Sequence, residues 1–133
     1  MRIRVIGDVS QFDSDIQKQL RDLIELTKNN TRITVIFALN YGGRDEIVRA
    51  IHTLVRNSEL TEQSFAQSLD TSGIPDPDMI IRPGGEKRLS GFLLWQSQYS
   101  ELYFTDWHMP EFTSQRLDEA LEEFRARKRR FGK

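Results

Sequence analysis

Two segments hold the residue types best suited to chemistry. Arg82-Pro83-Gly84-Gly85-Glu86-Lys87-Arg88-Leu89-Ser90 places two guanidinium groups and a hydroxyl around a pair of glycines. Asn40-Tyr41-Gly42-Gly43-Arg44 repeats the theme of glycines followed by a cation. Paired glycines let backbone N–H groups turn towards an anion, and a guanidinium grips phosphate oxygens with two parallel bonds. Arg82, Arg88 and Ser90 together suit a diphosphate. Neither segment is a Walker A loop or a GxGxxG fingerprint. The same residues also describe a tight strand-to-helix turn with solvated charges.

Glu86 and Glu101 are the carboxylates nearest the second segment. A diphosphate travels with Mg²⁺, which takes one or two carboxylates plus phosphate oxygens and water. Glu101 stands in an apolar run, Tyr99-Ser100-Glu101-Leu102-Tyr103-Phe104, where a charge needs a partner. Metal ligation answers that need, and so does an ion pair with a buried arginine; the residues alone favour the ion pair. The aromatic stretch from Phe92 to Phe104 reads first as core or subunit interface, and second as the lining of an apolar channel. The tail Arg125-Ala126-Arg127-Lys128-Arg129-Arg130 follows Asp118, Glu119, Glu122 and Glu123. Acid early and base late suits the helix dipole. That accounts for Arg125 and Arg127 but leaves Arg129-Arg130-Phe131-Gly132 open.

Composition narrows the field. The chain has 133 residues, 38% hydrophobic and 29% charged, enough apolar material for the core of one domain. A net charge of -1 argues against a dedicated nucleic-acid binder. Cys is absent, which excludes disulfides, thiolate catalysis and Cys-ligated metals, and His52 and His108 cannot build a multi-histidine site. No apolar run approaches the roughly 20 residues of a membrane span. MRIRVIGDVS is too polar for a signal peptide, so a cytoplasmic domain is expected.

The elements that must position these residues follow from periodicity. Ile3 to Asp8 reads as a strand ending at a Gly-Asp turn. Residues 14 to 29 read as a helix with Ile16, Leu20, Leu23, Ile24 and Thr27 on one buried face, and with Ser14 and Gln17 as a capping box. Ile33 to Leu39 is a nearly unbroken apolar run, expected to be a strand covered on both faces. The next helix has Ile47, Ala50, Ile51, Leu54 and Val55 on its inner stripe. A shorter one starts at Thr61 and turns Phe65 and Leu69 inward. Thr71 to Pro77 is a loop, and Asp78 to Arg82 is another strand. Phe92 to Phe104 has no clear period. Phe112 and Leu117 staple the start of a last helix around Thr113, which continues on Ala120, Leu121 and Phe124. The order predicts an α/β fold, a parallel sheet flanked by helices, in one domain over 1–133.

NYGGRDEI (Asn40 to Ile47), PDPDMIIRPGGEKRLSGFLLWQSQYSELYFTD (Pro75 to Asp106) and RRFG (Arg129 to Gly132) closely resemble the cis-prenyltransferases, a family that includes undecaprenyl diphosphate synthase. The resemblance covers essentially the whole chain, and its middle motif is long and specific. It implies condensation of isopentenyl diphosphate onto an allylic diphosphate with Mg²⁺, giving a cis-polyprenyl diphosphate. Arg82, Arg88, Leu89 and Ser90 match the positions that hold isopentenyl diphosphate, and Glu101 matches the one that serves the magnesium. Arg130 and Gly132 match the RXG motif that reaches the neighbouring subunit's site. The GFLLWQ and SELYF stretches resemble the dimer-forming region, so a homodimer is implied.

Pro83 stands where the family has Thr, Gly91 where it has Asn, and Trp107-His108-Met109-Pro110 replaces Val-Leu-Trp-Pro. The larger departure is the family's first half, with its MDGNGRWA-type motif, catalytic aspartate and allylic site, which has no counterpart here. The expectation is a cis-prenyltransferase-like half-domain holding the isopentenyl diphosphate side of the site and inactive alone. The alternatives are a non-catalytic partner of a full-length synthase and a folded remnant. No nucleic-acid partner and at most peripheral membrane contact are expected.

Overall fold

The computed structural model describes residues 1–55 and 60–128. The chain forms two compact units, Met1–Ile74 and Pro75–Lys133, divided within the Thr71 to Pro77 loop. Among the described residues no helix is long and apolar enough to cross a membrane.

The first unit contains β1 (Arg2–Ile6), α1 (Ser14–Thr27), β2 (Thr34–Ala38), α2 (Gly43–Leu54) and α3 (Glu62–Ser68). β1 and β2 pair in parallel, with Ile3 opposite Val35 and Val5 opposite Phe37. The α2–α3 core gathers Ala50, Leu54, Phe65 and Leu69, with Ile47 against it. α3 begins where its local signal places it, since Thr61 Oγ1 accepts from Ser64 N–H at 3.1 Å and Ser64 Oγ accepts from Thr61 N–H at 2.9 Å.

Other expectations need correction. α1 buries no residue, and Ile16 and Leu23 are exposed. β2 is not covered on both faces, because Ile33 and Phe37 are exposed too. Within the unit α1 packs on β1 rather than on β2. Ser14 is the first helical residue and not a cap. Asp13 takes the cap position without a side-chain bond, and Gln17 Nε2 instead donates to Phe12 O at 2.8 Å. On α2 the buried line is Gly43, Glu46, Ala50 and Leu54, while Ile51 and Val55 lie outside it. Glu46 is 1% exposed and accepts a 2.6 Å bond from the Tyr41 hydroxyl.

Asp70 locks this unit. Its carboxylate accepts both Arg49 Nη1 and Nη2, at 2.7 and 2.8 Å, and the Gly7 N–H at 2.8 Å. One side chain thereby joins the end of β1, α2 and the segment after α3.

The second unit contains β3 (Met79–Arg82), β4 (Glu101–Phe104) and α4 (Ser114–Ala126). β3 and β4 are parallel, from Met79 opposite Glu101 to Arg82 opposite Phe104. α4 starts at the expected cap, with Thr113 Oγ1 accepting from Arg116 N–H at 3.3 Å. Phe112 lies against Trp107, with ring centroids 5.3 Å apart. Of the Phe92 to Phe104 stretch that lacks a period, residues 92–99 are a succession of turns and Glu101–Phe104 is β4.

Candidate functional site

Arg82 ends β3, so its side chain emerges at the carboxyl end of a parallel strand, where open α/β sheets bind ligands. Its Nε is buried and has no hydrogen-bond partner. A buried guanidinium donor left open is costly and marks a place where an acceptor is wanted. Beside it is a cavity of about 230 Å³ lined by Ile80, Ile81, Arg82, Pro83, Leu89 and Phe92. Arg82 and Leu89 are thus brought together. Arg88 is exposed and paired with Glu86. Ser90 is exposed, in a left-handed conformation with φ 51°, followed by Gly91 at 83°.

The paired glycines do not cradle an anion. Gly84 N–H donates to Trp107 O at 2.8 Å and Gly85 N–H to Thr105 O at 2.7 Å. Carbonyls of the segment just after β4 take both donors, and Pro83 has none. An anion here is left to side chains.

The Asn40-Tyr41-Gly42-Gly43-Arg44 segment is likewise not an anion cradle. Its cavity, about 310 Å³, is lined by Asp8, Asn40, Tyr41, Gly42 and Asp45, so two carboxylates face it and Arg44 does not. Hydrogen bonds from Ser10, hydroxyl first and then backbone N–H, hold the Asp8 carboxyl below its usual range.

Glu101 is separated from Arg82 within its own unit. It is level with Met79, three residues or about 10 Å from the Arg82 end of the pair. An offset of three also puts the two side chains on opposite faces. The Glu101 carboxylate accepts from Arg127 Nη1 at 3.0 Å, which realises the ion pair expected from its residues. Among the described residues no group of three or more His, Asp or Glu could hold a metal ion. The carboxylate that the resemblance offers to magnesium is thus already paired with a guanidinium, which a metal ion there would have to displace. Arg130 and Gly132 lie outside the described residues.

Three structural features are not evident from local sequence. Buried Glu46 sits among polar neighbours in a helix start that looks solvated. Asp70 has no local partner to announce it. Arg127 does have a signal, Glu123 four residues before it, which marks an ion pair along one helix face.

The model of the undecaprenyl diphosphate synthase prenyltransferase family matches residues 1–132. An isoprenyl transferase of Brucella suis is 46% identical over 140 residues, covering 99% of this chain and 55% of that protein. One from Helicobacter hepaticus is 46% identical, covering 99% and 60%. The crystal structure of a probable undecaprenyl diphosphate synthase from Campylobacter jejuni matches with a TM-score of 0.88 at 38% identity, over 99% of this chain and 63% of that one. Lavandulyl diphosphate synthase from Lavandula x intermedia, in complex with dimethylallyl diphosphate, gives 0.91 at 36%, over 99% and 60%. The chain spans little more than half the length of these curated relatives. Parallel pairs flanked by helices, an open arginine at a strand end and a sequence match that runs from Met1 to Gly132 agree: the chain belongs to the undecaprenyl diphosphate synthase family of prenyltransferases.

Proposed function

We propose that this chain carries the isopentenyl diphosphate side of a cis-prenyltransferase site. The observation that carries the reading is Arg82, whose Nε is buried without a partner and which lines an apolar cavity together with Ile80, Ile81, Leu89 and Phe92. A diphosphate with a short hydrocarbon group satisfies both at once. Arg82 binds the anion, and Arg88 and Ser90 reach it from the turn that follows. Leu89 and Phe92 hold the isopentenyl group away from water. No step is assigned to a metal at Glu101, because that carboxylate is taken by Arg127.

Calorimetry with pyrophosphate and isopentenyl diphosphate tests this. A charge-assisted bond is worth roughly 1.5–3 kcal/mol, so Arg82→Ala should weaken either ligand about tenfold or more. Arg88→Ala should cost less, since its guanidinium is exposed and shared with Glu86. The organic ligand should bind on the order of tenfold tighter than pyrophosphate, through apolar burial. Equal binding by parent and Arg82→Ala would sink the assignment. The chain alone should not elongate an allylic diphosphate, and incorporation of labelled isopentenyl units by the pure protein would show otherwise.

The same reading makes the chain a homodimer joined through residues 92–104. Phe92, Leu94, Trp95 and Tyr99 are exposed within one short turn segment. Aromatic clusters of this kind dominate interface energies. Sedimentation velocity should show a dimer at micromolar concentration and a shift to monomer in Trp95→Asp. A folded monomer for the parent removes the dimer from the proposal.

A further inference from the structure

Arg127 holds three oxygens at once. Its Nη1 donates to Glu101 Oε2 and to the Leu102 carbonyl, both at 3.0 Å, and its Nη2 donates to Glu123 Oε1. The side chains of Arg127 and Glu101 are 28% and 27% exposed and that of Glu123 is 49% exposed, so the Arg127–Glu101 pair is the better screened part of the cluster. Two carboxylates and a carbonyl are what a hard divalent cation collects. Here a guanidinium sits among them. Arg127 is also the residue that closes α4, with its N–H on Phe124 O at 3.2 Å, where the last carbonyls of the helix favour positive charge.

We infer that Arg127 is the resident cation of this oxygen cluster, and that it clasps the C-terminal end of α4 to the first residues of β4 in the place a divalent metal would take. The Glu101 carboxylate thus serves the fold. The inference stands apart from the diphosphate reading, since Glu101 and Arg82 lie at opposite ends of the β3–β4 pair.

Two measurements on the full chain test it: Mn²⁺ binding by electron paramagnetic resonance, and hydrogen exchange along α4. The parent should bind no Mn²⁺ through Glu101. Arg127→Ala should bind Mn²⁺ more tightly than the parent, and adding Glu101→Gln should remove that gain. In Arg127→Ala the amides from Glu123 to Ala126 should exchange about tenfold faster or more. Arg127→Lys, which keeps the charge but not the fork, should lie between and guards against a fold lost in the alanine variant. Glu101-dependent Mn²⁺ binding by the parent, equal Mn²⁺ binding by parent and Arg127→Ala, or unchanged exchange at the end of α4 would each overturn the inference.

Discussion

Gly7→Ala should destabilise the first unit more than any other single change proposed for it. Gly7 follows β1 with φ at +100°, a region that side chains avoid. A Cβ there would lie 2.1 Å from the Leu39 carbonyl oxygen and 3.0 Å from Tyr41 Cβ. Leu39 cannot retreat freely, because its N–H is bonded to Ile6 O at 2.9 Å. Gly7 cannot retreat either, with its own N–H on Asp70. The left-handed backbone alone costs about 1–2 kcal/mol, and relieving the clash breaks ladder bonds, for about 3–4 kcal/mol in all. Total stability of a domain is about 5–15 kcal/mol. The urea midpoint should fall by about 2 M. A midpoint within a few tenths of the parent's would mean that the turn yields more easily than its bonds imply.

Asp70→Ala should come next in severity. It leaves the Gly7 N–H without its acceptor and removes both bonds from the Arg49 fork. Breaking a fully buried pair costs about 3–5 kcal/mol. Arg49 is partly exposed and keeps Asp45, so about 2 kcal/mol is expected after solvent screening. That corresponds to a melting temperature lower by about 8 °C. The Arg49 bonds, followed by the Gly7 N–H, hold the Asp70 carboxyl below its usual range against the opposing effect of burial. A depressed carboxyl contributes its stability fully above the unfolded pKa and loses it as pH falls through the folded one. The gap in melting temperature between the parent and Asp70→Asn should thus be constant from about pH 7 to 5 and close below about pH 4. A gap unchanged down to about pH 2 would show that the carboxylate's charge is not what stabilises the lock.

What could be read beforehand was local. Thr61 and Thr113 cap their helices because a hydroxyl needs only an N–H three residues away. Strands β1, β2 and β3 lie where their apolar runs put them. What depends on distant neighbours was not legible. The run from Ile33 to Leu39 is the same whether a strand has covers or lacks them, and Ile33 and Phe37 lack them. Gly84 and Gly85 read as free donors because their acceptors, Trp107 and Thr105, lie beyond a long crossover. Glu101 announced its need for an arginine, and only the fold could choose Arg127, 26 residues on. Arg82 and Leu89 line one cavity because the strand end and the turn after it are contiguous. Glu101 joined that group by its nearness in sequence and by the resemblance, and the strand register separates it.

The turns that link β3 to β4 also bear on how the second unit assembles. β1 reaches β2 by way of α1, whereas the 83–100 crossover contains no helix. A helix forms in about a microsecond and shortens the path before the strands meet. Turns offer no such local gain, so the loop-closure entropy of the β3–β4 pair must be met before any ladder bond rewards it. Ser90 and Leu93 add to the barrier, since both must enter the left-handed region, at φ 51° and 48°. Registering β4 on β3 is therefore the expected slow step of that unit, which stopped-flow refolding would check. Leu93→Gly, which relaxes one of those residues, is the substitution that would speed its closure.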